Sequence, residues 1–165
     1  MKRSCMKLKW LAALALIFGS AMARADKIPY PDGQKWHEEC SICHIAFPPS
    51  LLATKNWQKL MANLDKHFGA NASLDAKDAQ EILEFLERHS KNGSRQTADS
   101  LRISDTVWYK SVHREVPEEV WSNPAVKSLS NCAACHINAH KFDWSEKSIR
   151  LPGVVGGKYG EASRH

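Results

Sequence analysis

Between residues 54 and 68, Trp57, Leu60, Met61, Leu64 and Phe68 recur at i, i+3, i+4 and i+7 among polar neighbours. That period predicts an amphipathic helix, closed by Gly69. His67 lies three positions after Leu64 and seven after Leu60, so it shares the apolar stripe. A second helix is predicted from Asp75 to Lys91, with Ile82, Phe85, Leu86 and His89 on one stripe and Asn92-Gly93 at its end. The polar run 93–100 reads as an exposed loop. A third helix is expected from Ser104 or Asp105 to Glu115, since Pro117 prevents continuation. A fourth is announced by Asn123-Pro124 and is expected to run on to His136, with Leu129, Cys132 and His136 on one face. The tail 141–165 is rich in glycine and has no helical period, so it is expected to wrap the surface and fray. The fold class predicted is mainly α, with little or no sheet.

The N-terminus has a different pattern. Lys2, Arg3, Lys7 and Lys9 precede an unbroken apolar run from Trp10 to Phe18, and Ala23-Arg24-Ala25 offers small residues at a cleavage site. Basic start, short apolar run and A-x-A make a secretory signal peptide over 1–25, with a mature domain at 26–165. The run is short for a membrane span, and no cysteine follows it to carry a lipid. This changes the charge picture. The chain has 23 Lys+Arg against 18 Asp+Glu, but five of the bases lie in the leader with no acid, which leaves the mature chain neutral. The basic pI is thus a targeting signal, not the footprint of a nucleic-acid binder.

Cys5 leaves with the leader, and the four remaining cysteines form two copies of Cys-x-x-Cys-His: Cys40, Cys43 and His44, then Cys132, Cys135 and His136. This is the attachment sequence of c-type haem. Thiols three apart on a helical turn reach the two vinyl groups from one side, and the next residue sets an imidazole over the iron. Histidine is 8 of 165 residues, so its placement after both cysteine pairs is hard to ascribe to chance. A zinc site would bring its two cysteine pairs much closer in sequence. A thioredoxin-like pair needs a βαβ setting that the helical pattern lacks. Two short disulfides would leave both histidines unexplained.

The second axial ligand decides what such a haem does: a filled iron transfers electrons, whereas an open one binds or activates small molecules. Of four methionines only Met61 lies outside the leader, which rules out two His/Met haems, and its helical spacing suits core packing. His37 and His140 are seven before and four after the motif histidines, on the same side of the iron if helix continues there. His165 is terminal. His89 ends its helix, where a histidine complements the dipole. His67 and His113 are the favoured ligands, with the tryptophans packing porphyrin and core. The rival reading is an enzyme or gas-binding protein with one open or displaceable axial position.

With CSICHIAFPPSLL, WQKLMANLDKHFGANASLD, WYKSVHREVP, NPAVKSLSNCAACHINAH and KSIRLPG, the chain resembles the dihaem cytochromes c over most of its mature length. The resemblance implies a small helical periplasmic protein, not an enzyme, with two covalent bis-histidine haems filling its core. It would pass electrons to or from an oxygen-binding monohaem cytochrome c or a membrane b-type cytochrome. His44 and His136 match the family's proximal ligands, and His67 and His113 its other recurrent histidines. Chain proximity assigns His67 to the first haem and His113 to the second, with a crossed arrangement left open. Ligation without methionine predicts low potentials.

Overall fold

The computed structural model describes residues 29–90, 100–155 and 158–159. The leader 1–25 and His165 lie outside these residues, as does nearly all of the predicted loop 93–100. The order of helices is α1 Gln34–Cys40, α2 Thr54–Met61, α3 Ala76–His89, α4 Val107–Val112 and α5 Glu118–Trp121, with 3-10 turns before α2, α3 and α4 and others after α5. Among the described residues there is no strand, only isolated antiparallel bridges at His67–Ala70 and His136–Ile149. No described helix is long and apolar enough to cross a membrane.

α3 follows its predicted bounds closely. Asp75 caps it by accepting from the backbone N–H groups of Lys77 and Asp78, and Ile82, Phe85 and Leu86 are fully buried. These side chains meet Trp36 of α1 and Trp57 and Leu60 of α2 in a core completed by Ala46 and Leu52. Trp57 donates its indole N–H to the Pro49 carbonyl at 2.7 Å, and Met61 packs against the same cluster, as its spacing suggested. Gly33 lies under this core, where a Cβ would stand 2.8 Å from the Phe85 ring.

Other predicted bounds fail for local reasons. The helix expected over 54–68 stops at Met61. The Asn63 side chain donates to the Lys59 carbonyl at 2.9 Å, and Asn63 itself leaves helical geometry at φ −136°. A 3-10 turn at Leu64–Lys66 follows, and Phe68 and Gly69 both take positive φ. The third helix is shorter than expected because Thr106 caps α4 at Tyr109 N–H, leaving Ile103–Asp105 as a separate turn. The fourth helix does not form. Asn123 accepts from Ala125 N–H, two residues on, an Asx turn that competes with helix, and Lys127 is left-handed at φ 61°. The chain forms a 3-10 turn at Cys132–Ala134, and Leu129 is about half exposed, so it shares no helical face with Cys132 and His136. α5, which periodicity did not reveal, begins after Pro117.

The tail is more structured than expected. Phe142 packs on Trp36 and His37 of α1, Ser148 and Leu151 are buried, and the stretch 148–150 clasps the second motif. Its bonds run from Ile137 N–H to the Ser148 carbonyl at 3.2 Å and from Arg150 N–H to the Cys135 carbonyl at 2.8 Å.

Candidate functional site

α1 ends in the first motif. Cys40 is its last residue, Ser41 caps it, and Cys43 and His44 lie in the turn beyond. The helix therefore does not continue through the motif, and His37 owes its place to Phe142 and Trp36. His44 donates Nδ1–H to the Ile45 carbonyl at 2.7 Å and stacks on Phe47 at 4.7 Å. A carbonyl only accepts, so this bond puts the proton on Nδ1 and leaves the Nε2 lone pair free, as a metal-binding imidazole needs. The broken end of the 54–68 segment brings His67 opposite, with ring centroids 6.1 Å apart and planes 24° from parallel.

The second motif has the same parts in a different order. In it, Cys132 closes a turn by accepting from His136 N–H at 2.8 Å, so both ends of the Cys-x-x-Cys-His turn face one side. Here the histidine from outside the motif makes the orienting bond: His113, just beyond α4, donates Nδ1–H to the Tyr109 carbonyl at 2.9 Å and stacks on the Tyr109 ring at 4.1 Å. His113 and His136 also have centroids 6.1 Å apart, with planes crossed at 82°. Trp144 packs on His136 at 5.3 Å and Trp121 on His113 at 5.9 Å.

The spacing tests whether an iron fits between the rings. With metal–nitrogen bonds of about 2 Å to both Nε2 atoms, the centroids stand about 6.3 Å apart. Both pairs match this. Nδ1 of His67 and of His136, the ring nitrogens turned away from that position, are buried without a hydrogen-bond partner in the protein. Burial, and then the facing histidine, push the pKa of His67 and of His136 down. Both causes favour the neutral imidazole that binds metal. Burial pushes the Cys40 thiol up to about 12 and the Cys132 thiol up to about 11, and none of the four motif cysteines is tied up in a disulfide.

A cavity of about 620 Å³ opens beside the second pair, lined by Trp108, Trp121, Trp144, His113, Cys132 and His136 among others. A second of about 350 Å³ is lined by Cys43, His44 and Ile45 on one side and by Lys127, Ser128 and the stretch 130–133 on the other, so the two motifs face one space. His89 is taken up elsewhere, its Nε2 3.0 Å from Asp32. The orienting rings were not anticipated individually. Tyr109 precedes His113 by four, a helical spacing that could have found it, whereas Phe47 and Trp144 carry no periodic signal.

A mainly helical chain with two Cys-x-x-Cys-His turns, each facing a second histidine across room for a planar group, defines a covalent dihaem protein. Comparison narrows this. The dihaem cytochrome c family profile matches residues 36–144, and the chain belongs to that family. It is similar to the crystal structure of a diheme cytochrome c from Shewanella baltica OS155, with 34% identity and a TM-score of 0.66 over 79% of this chain and 99% of that one. It is also similar to DHC purified from Rhodobacter sphaeroides, with 36% identity and a TM-score of 0.59 over 70% of this chain and 96% of that one. No curated protein matches. The protein carries two c-type haems.

Proposed function

We propose that this chain is a periplasmic electron carrier in which His44 and His67 are the axial ligands of the first haem and His136 and His113 those of the second. The observation that carries the reading is the pair of histidine couples, each with one motif histidine and each at the same 6.1 Å. It favours the assignment by chain proximity over a crossed one. The haem supplies the redox couple; the chain's residues attach it, fill both axial positions and exclude small ligands. With imidazole in both positions, and one imidazole of each couple held from behind by a carbonyl, an iron between them would change oxidation state with little rearrangement. The absence of methionine from the ligands favours low potential. This reading makes the chain a carrier and not an enzyme.

The basic leader supports export, and c-type haem is attached outside the cytoplasm. As partner, an oxygen-binding monohaem cytochrome c or a membrane b-type cytochrome suits the family. Haem propionates add negative charge to a neutral mature chain, which favours an electropositive face on that partner.

The test is the absorption spectrum of the exported protein, oxidised, reduced, and reduced under carbon monoxide. Low-spin c-type bands unmoved by carbon monoxide are expected. His67→Ala and His113→Ala should each open one haem to carbon monoxide and leave the other low-spin. A wild-type protein that binds carbon monoxide would transfer the lead to an enzyme or gas-binding role.

A further inference from the structure

The two histidine couples agree in separation and differ in orientation. At the first the imidazole planes lie 24° apart; at the second they cross at 82°. The neighbours account for each. His44 is fixed by its bond to the Ile45 carbonyl and lies 21° from the plane of Phe47. His113 is fixed by its bond to the Tyr109 carbonyl and lies 27° from the Tyr109 ring, while His136 leans on Trp144 at 59° and is bridged by its backbone to Ile149.

We propose that Tyr109 and Trp144 are positioning residues that hold the ligands of the second haem crossed, while Phe47 helps hold those of the first near parallel, so that the two ferric haems have different electronic ground states. This rests on the bis-histidine reading above. An imidazole donates from the π orbital perpendicular to its plane. Parallel rings act on the same iron dπ orbital and split it from its partner, quenching orbital angular momentum. Crossed rings act on one orbital each and leave the two close in energy, so the orbital moment survives. The ligand set is the same at both haems; ring azimuth, set by the surrounding side chains, makes them different.

Low-temperature electron paramagnetic resonance of the oxidised holoprotein tests this. The expected result is two low-spin ferric signals of equal intensity, one rhombic with three resolved features and one strongly anisotropic with a lone feature at lower field. Trp144→Leu and Tyr109→Leu should shift the low-field feature and leave the rhombic signal and the low-spin absorption bands unchanged, with Trp144→Phe and Tyr109→Phe restoring the original position. Phe47→Leu should move only the rhombic signal. Two rhombic signals in a fully low-spin protein would overturn the inference while the ligand reading stands, as would a low-field feature indifferent to both leucine variants. A high-spin signal would overturn both. Tyr109 is buried and Trp144 only partly so; should the Tyr109 variants fail to fold, the wild-type spectrum and the Trp144 pair decide.

Discussion

Single residues set limits that periodicity does not reveal. Gly33 has φ −104°, a conformation open to any residue, so its constraint is space: an added Cβ would meet Phe85, itself 2% exposed and packed on Trp36. Gly33→Ala should destabilise the protein by about 1–3 kcal/mol, read from denaturant unfolding. Asp32 is governed by charge. The hydrogen bond to His89 first, and that to Arg88 after it, hold its carboxyl below the usual carboxylate range. A carboxyl depressed in the folded state contributes stability above its unfolded pKa, and that contribution disappears as pH falls from about 4 through the folded value. Asp32→Asn should therefore lower the melting temperature at neutral pH and flatten its fall on the acid side; an unchanged acid limb would show that the pair contributes nothing. That His67 and His113 would face the motif histidines was legible at this scale because few histidines remained once the leader, the motifs and the helix ends were accounted for. The orphaned Nδ1 atoms could not be read, since burial of one ring nitrogen is a property of the folded surroundings.

At the scale of elements, legibility depended on whether side chains compete with the backbone. α3 has a cap at Asp75, an apolar stripe and no interior side chain that diverts the ladder, and its bounds agree with the pattern to within two residues. The segment 54–68 has an equally good stripe, yet Asn63 ends the helix early, and the resulting bend is what turns His67 toward His44. The segment before the second motif has a cap and a proline, but the Asx turn at Asn123 and the left-handed Lys127 send it another way. Thr106 tests how far an element's stability reaches the haem. Its hydroxyl donates to the Ile103 carbonyl at 2.7 Å and accepts from Tyr109 N–H at 3.2 Å, and α4 leads directly to His113. Thr106→Val should cost about 0.5–2 kcal/mol. It should also let carbon monoxide reach part of the reduced haem beside His113, measured as a fractional band shift; stability lost with no carbon monoxide binding would separate the cap from the ligand.

For the whole molecule, the two halves differ in what fills them. The first has a protein core of its own, from Trp36 to Leu86. The second encloses a cavity of about 620 Å³ with tryptophans on its walls and only scattered buried side chains such as Tyr109, Val120, Val126 and Leu151. That contrast was not visible in the sequence, where tryptophans occur in both halves; only the cavity separates those that pack in the protein core from those that line it. Cys132→Ala with Cys135→Ala should prevent attachment of the second haem and leave residues 100–155 without hydrogen-exchange protection, while α1 to α3 stay protected. Loss of protection throughout would mean that the first half cannot stand alone.

The clasp of residues 148–150 makes the second motif depend on backbone that comes after it in the chain. Synthesis runs from the N-terminus, so the first motif and His67 are complete before that backbone is made. The second motif precedes the backbone that pins it, so its turn lacks those two bonds until the last stretch of chain arrives. A chain clipped ahead of residue 148 would lose both bonds, and with them the support of its second motif alone.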